Sequence, residues 1–334
     1  MKKVLLMMAM AVCAISLPSC SNDDDDDGKN KLEDNFFTIA NSTYHKGEQP
    51  KGTISEALEG IDMSSQVMNG AMNYISVVTT QDVDKFYLGV KGVNGYLEYT
   101  PADVTSSGEY NSYVIPVMIS ESYTGNSTIV LNAALANGDI TAASEKQIEY
   151  IETMPGAIEV KLAFSNNKDV DLHLYTPSGK HIYFGDRGGI YTDENGNQIT
   201  YGLDIDSNAA CNIDGINKEN IYIPQELVEN GTYKVIVNMY ENCDRSIATN
   251  WSIITRYQGK IITPASGSNP ASGVYAIGAG NSDNTVAMTF TISGAGNRSE
   301  IAAKTAKWSF RPATLTDNDI AKIEEAQYRE SLLK

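Results

Sequence analysis

Residues 157–179 read AIEVKLAFSNNKDVDLHLYTPSG. Two runs of alternation lie inside this stretch. Ile158, Val160, Leu162 and Phe164 alternate with Glu159, Lys161 and Ala163; Val170, Leu172 and Leu174 then alternate with Asp169, Asp171 and His173. Successive side chains of a strand point to opposite faces, so a period of two marks a half-buried strand with one apolar face. Thr176-Pro177-Ser178-Gly179 supplies a turn after the second run.

The same grammar extends in both directions. Downstream, strands are expected at 181–184, 190–192, 198–203, 231–240, 250–257 and 285–293, with Asn195-Gly196 as a hairpin signal. Upstream, strands are expected at 35–40, 72–79, 86–90, 113–119 and 128–135, separated by turn sequences such as Gly92-Val93-Asn94-Gly95. A chain of 334 residues with 27 Gly and 19 Tyr suits more than one β domain. The expected fold class is all-β: two β-sandwich domains in tandem, at 35–155 and 156–293, with a tail at 294–334. In the tail, Thr316 and Asp319 form a capping-box pattern that opens a short C-terminal helix.

The opening residues have a different character. Lys2 and Lys3 precede an apolar run over 4–17, then Pro18-Ser19-Cys20. The run is too short for a permanent span, which takes about 20 residues. It suits a signal peptide over 1–19, cut before Cys20, with Cys20 acylated by palmitate-like chains. The alternative is an ordinary signal with a chance cysteine. Asp23 to Asp27 follow, five like charges that repel and stay solvated, so 20–34 is expected to be an extended acidic tether. The run resembles the acidic export signal of Bacteroidetes surface lipoproteins, which implies an outer-membrane, cell-surface address; a periplasmic spacer is the other reading. The expected partner at this end is outer-membrane lipid, held through Cys20.

Two cysteines remain, Cys211 and Cys243. In an oxidising compartment an even pair is expected to form a disulfide, with two separate buried thiols as the alternative. The formal charge of −17 argues against nucleic acid and anionic headgroups as partners and favours cations.

Two acidic pairs stand out: Asp169-Val170-Asp171 and Asp204-Ile205-Asp206. Carboxylates two apart on a strand share a face. They repel unless a cation lies between them, and calcium, with 6–8 oxygen ligands in loose geometry, fits such a set. Asn208, Asp214, Glu219 and Asn220 add oxygens nearby. The candidate metal residues are therefore Asp169, Asp171, Asp204, Asp206, Asn208 and Glu219. The competing reading is a pair of solvated strand faces. An EF-hand is excluded, because Ala209 stands where its glycine belongs and Gly215 where its glutamate belongs.

These segments, DVDLHLYTPSG, GLDID, ENIYIP and NGTYKVIVNMY, together resemble a bacterial β-sandwich domain of unknown function related to pre-peptidase C-terminal domains, over roughly 157–293. The resemblance implies an accessory module on a secreted or surface protein, with a calcium role, and implicates Asp169, Asp171, His173, Asp204, Asp206, Glu219 and Asn220. The insert SNAACNIDGINK, which carries Cys211, departs from that family's short glycine-rich link. For His173 a hydrogen bond to a neighbouring aspartate is expected rather than metal ligation. The segment from Ser127 onward, STIVLNAALANGDITAAS, loosely resembles the last strands of bacterial immunoglobulin-like modules.

No G-x-S-x-G, H-E-x-x-H or G-x-x-x-x-G-K-[ST] motif occurs, and there are only 3 His. Adjacent acids on one strand cannot flank a sugar as a glycosidase requires. The expectation is a non-catalytic surface binding or adhesion module, calcium-stabilised, with a glycan or a surface protein as its partner. The alternatives are a structural subunit of a surface assembly and a carboxylate-dependent hydrolase.

Overall fold

A computed structural model describes residues 27–294, apart from 103, 108 and 194. The signal segment, Cys20 and the expected C-terminal helix lie outside the described residues. The described chain is all-β and built as two sandwiches. No helix in it is long and apolar enough to cross a membrane.

In the first sandwich, one sheet orders Phe37–Thr38, Tyr110–Ile119, Met72–Thr79 and Ile61–Met63, with Thr105–Ser107 also pairing Tyr110–Ile119. The facing sheet orders Thr43–His45, Tyr96–Tyr99, Val83–Val90, Asn126–Leu135, Ser144–Tyr150 and Gln66–Val67. Between them lies a core that includes Ile75, Val77, Phe86, Leu88, Tyr113, Ile115 and Leu131. Part of the expected tether differs from expectation: Asp27–Asn35 is a helix, and Leu32 is fully buried against this core. Burying one leucine contributes about 1.5–3 kcal/mol towards docking this helix. The acidic run at 23–27 therefore leads into packed structure instead of continuing as a spacer through residue 34.

The second sandwich pairs a larger sheet with a smaller one. The larger orders Gly188–Thr192, Gln198–Ile205, Lys218–Ile223, Ile158–Phe164, Thr249–Tyr257 and Lys260–Ile261, with Ala271–Tyr275 also on Thr249–Tyr257. The smaller orders His181–Ile182, Asp169–Tyr175, Gly231–Glu241, Asp283–Ile292 and Ser266–Gly267. Val160, Leu162, Val170, Leu172, Val235, Ile253 and Phe290 fill the space between. The inward set of each run in the opening sequence is thus the expected one.

The polar set of the first run is not solvated as a half-buried strand would be. Lys161 is 4 % exposed, because this face of the larger sheet packs on the first sandwich. Across that seam Lys161 Nζ donates to Asn69 O at 2.9 Å and to Asn69 Oδ1 at 3.1 Å. Lys218 Nζ donates to Asn73 Oδ1 at 3.0 Å. Arg256 donates from Nη1 to Gly70 O at 2.6 Å and from Nε to Glu121 Oε1 at 2.8 Å. Gly70, at φ +59, admits this approach: a Cβ there would press on the guanidinium at 3.0 Å.

Candidate metal centre

The Asp169–Tyr175 strand lies next to the short edge strand of the smaller sheet, and His181–Ile182 covers only Leu174 and Tyr175 of it. The rest of that edge faces the Lys218–Ile223 strand of the other sheet. Glu219 bridges the gap: its Oε2 accepts from Leu172 N at 2.6 Å. Glu219 lies among inward apolar residues, Ile221 and Ile223, so alternation carries its carboxylate into the sandwich. Asp206 arrives from just beyond the Gln198–Ile205 strand.

One carboxylate oxygen from each of Asp171, Asp206 and Glu219 lies within 4.8 Å of the others. Asp169 adjoins them and accepts from Ala210 N at 2.6 Å. Asp169, Asp171 and Glu219 are almost completely buried. One oxygen on each of the four acids, Asp169 Oδ1, Asp171 Oδ2, Asp206 Oδ1 and Glu219 Oε1, is buried with no hydrogen-bond partner.

The electrostatics follow from this arrangement. Burial, then repulsion from Asp206, pushes the Asp169 carboxyl up to about 8. Burial first, and the neighbouring acids second, raise Asp171 and Glu219 well above the ordinary carboxylate range. Asp206 is also raised by burial, against the pull of Arg187, whose Nη1 donates to Asp206 Oδ2 at 3.0 Å. Lys168, next in sequence to Asp169, does not neutralise the set. Its Nζ is held by Asn242 Oδ1 and the carbonyls of Asp244 and Ile247. Two full charges 4.8 Å apart repel by about 3 kcal/mol even at an effective dielectric of 20. One guanidinium cannot offset four acids.

Of the six metal residues expected from sequence, Asp171, Asp206 and Glu219 come together, and Asp169 borders them. Asp204 does not join. A register shift between Leu203 and Ile205 breaks the alternation, so Asp204 and Asp206 diverge. Asp204 instead accepts from Met154 N at 2.6 Å and from Asn220 Nδ2 at 2.6 Å. Asn220, adjacent to Glu219, projects to the opposite face of its strand with Asp204. Asn208 does not join either: its Oδ1 accepts from Asp214 N and Gly215 N, and its Nδ2 donates to Lys168 O and Asn217 Oδ1. It braces the insert.

His173 bonds to a histidine and not to an aspartate. Its Nδ1 lies 3.0 Å from His181 Nε2, and burial drives its pKa down to about 3. Arg187 is the site residue that sequence reasoning missed. Nothing near it in sequence marks it, but Gly202 does: a Cβ there would overlap the Arg187 carbonyl, so glycine lets the two strands close.

The expected disulfide is present. Cys211 and Cys243 are bonded with their Cα atoms 5.6 Å apart.

No family model matches the chain, and no curated protein matches it. Among solved structures, pullulanase complexed with maltotriose from Anoxybacillus sp. LM18-11 aligns with 58 % of this chain at 11 % identity and TM-score 0.16. Dimeric latent PorU from Porphyromonas gingivalis aligns with 70 % at 10 % identity and TM-score 0.23. A titin immunoglobulin tandem aligns with 61 % of this chain and 97 % of its own at 12 % identity and TM-score 0.16. The chain spans about 25 % of that pullulanase and 20 % of PorU. Likenesses at this level carry no argument about activity.

Proposed function

We propose that this chain is a non-catalytic binding or adhesion module, displayed outside the cytoplasm on a lipid-anchored Cys20, whose second sandwich is completed by a calcium ion. The observation that carries the cation is the set of buried carboxylates with unpartnered oxygens at Asp169, Asp171, Asp206 and Glu219. Oxygens around a shared calcium lie 2.3–2.6 Å from it, so opposite ligands are separated by about 4.8 Å. The oxygens of Asp171, Asp206 and Glu219 fall within that diameter. Asp171, Asp206 and Glu219 would hold the ion, with Asp169 beside them. The ion would supply the positive charge that the site lacks.

Burial favours a structural role over a hydrolytic one. A substrate must reach its carboxylates, and these are sealed between two sheets and a disulfide-tied loop. The resemblance of 157–293 to accessory modules of surface proteins points the same way, and the leader and acidic run support the address. The partner, a glycan or a surface protein, is read from that resemblance alone.

The test is thermal unfolding of the purified protein in calcium and in chelator. An ion that binds only the folded state adds about 2.7 kcal/mol at a hundredfold excess over Kd. A rise of several degrees in Tm with calcium is expected, and coincident melts would refute the cation.

A further inference from the structure

We propose that the Cys211–Cys243 bridge latches the calcium site, so that reducing it weakens calcium binding and calcium in turn protects the bridge. This rests on the cation reading above and adds its regulation.

Two of the three clustered acids, Asp206 and Glu219, flank the insert that carries Cys211. The ends of the insert are buried, and its middle is open to solvent. Ala209, Asn212, Ile213 and Asp214 are exposed, and none of the three residues of its single turn, Ala209–Cys211, is buried. Its backbone is costly. Asn208, Ala210, Cys211 and Asn217 all sit at left-handed φ, between 51° and 60°, without being glycine. Such residues persist only where surrounding structure holds them. The side chains of Ser207, Asn208 and Asp214 do so within the insert, and the bond from Ala210 N to Asp169 and the disulfide tie it to its surroundings.

The disulfide is the covalent device, and it ties the insert to the other sheet. Cys243 lies two residues past Glu241, and Glu241 pairs with Asp169 in the smaller sheet. The bridge therefore fixes the loop bearing Asp206 against the strand bearing Asp169 and Asp171. Without it, the insert is held beside Asp169 by hydrogen bonds alone, from Ala210 N to Asp169 and from Asn208 Nδ2 to Lys168 O. Both cysteines are half-buried rather than in the core, and 244–247 beside Cys243 is exposed.

The chemistry balances with a dithiol as reductant. The dithiol passes two electrons and two protons to the S–S bond and closes to its own disulfide. Cys211 and Cys243 are left as thiols. Because the two closures act on one loop, their coupling is reciprocal: the factor by which reduction weakens calcium is the factor by which calcium disfavours reduction.

The experiment is calcium titration by calorimetry on the whole protein, oxidised and after dithiothreitol, with thiol alkylation and mass measurement to confirm the redox state. Reduction is expected to weaken calcium binding by at least about fivefold, the lower end of ordinary site-to-site coupling. In a dithiothreitol ladder, calcium should shift the reduction equilibrium by the same factor. A calcium affinity unmoved by reduction overturns the latch while leaving the cation reading intact. A flat titration of the oxidised protein overturns both. Loss of near-UV circular dichroism on reduction would show that the bridge holds the whole sandwich and not the site, and would overturn the latch as well.

Discussion

The seam between the sandwiches and the carboxylate cluster both keep ionisable groups away from water, and they do so with opposite completeness. At the seam, Lys161, Lys218 and Arg256 each meet oxygens of the first sandwich at 2.6–3.1 Å. In the cluster, four acids share one guanidinium and leave an oxygen each without a partner. Removing an ion from water costs several kcal/mol unless it is paired. The seam offers each cation oxygen acceptors from within the chain, and the cost that remains shows in the lowered pKa values of Lys161 and Lys218. The cluster leaves its acids short of donors among the described residues, and that imbalance is what the proposed calcium ion would offset.

The largest effect is expected from breaking the complete region. Arg256→Ala leaves Gly70 O and Glu121 without their donor and should cost about 3 kcal/mol, read by urea unfolding. The loss should be the same in calcium and in chelator, because the seam does not depend on the ion. A loss that vanishes in calcium would mean that the two regions are not separate.

Neutralising one acid of the incomplete region should change sign with conditions. Asp171→Asn removes one repelling charge, so in chelator at pH 8 it should stabilise the fold by about 1–2 kcal/mol. In saturating calcium it removes a ligand and should destabilise. Destabilisation of equal size in both buffers would indicate a simple packing role for Asp171.

Per pH unit the smallest effects are the pH slopes, at most about 1.4 kcal/mol for each titrating group, and they should oppose one another. Asp169 titrates at about 8 in the fold against 3.8 unperturbed. The folded cluster therefore holds protons that the unfolded chain gives up. Its contribution is present below about pH 4 and is lost as pH rises towards 8. Lys218, pushed down to about 7 from 10.5 by burial, behaves the other way. Its penalty is full below pH 7 and eases as pH climbs to about 10. In chelator, stability should fall from pH 4 to 8 and the seam should recover some of it above that. Calcium should flatten the first slope alone, and Lys218→Met the second alone.

The sequence carried the strand skeleton well where alternation is strict. The 72–79 expectation and the run Ile158–Phe164 coincide with observed strands. It missed Tyr96–Tyr99, Ser144–Tyr150 and Ala271–Tyr275, and quoted Lys218–Ile223 as a motif without reading it as a strand. Lys218–Ile223 is buried along its whole length, so its polar residues give no wet face to alternate with. The acids Asp171, Asp206 and Glu219 were legible as types. Which of the Asp204 and Asp206 pair points inward was not, because a bulge resets the alternation and leaves no mark in residue type. The seam was illegible for a related reason. A polar strand face looks the same in sequence whether it meets water or, as Lys161 does, another domain.

The most direct test of the cation is calorimetric titration of the chelator-treated, disulfide-intact protein with calcium, beside the Asp171→Asn variant. One ion bound per chain, with affinity lost in the variant, is the expected result. No heat of binding in the parent protein, or binding that survives Asp171→Asn unchanged, would contradict it.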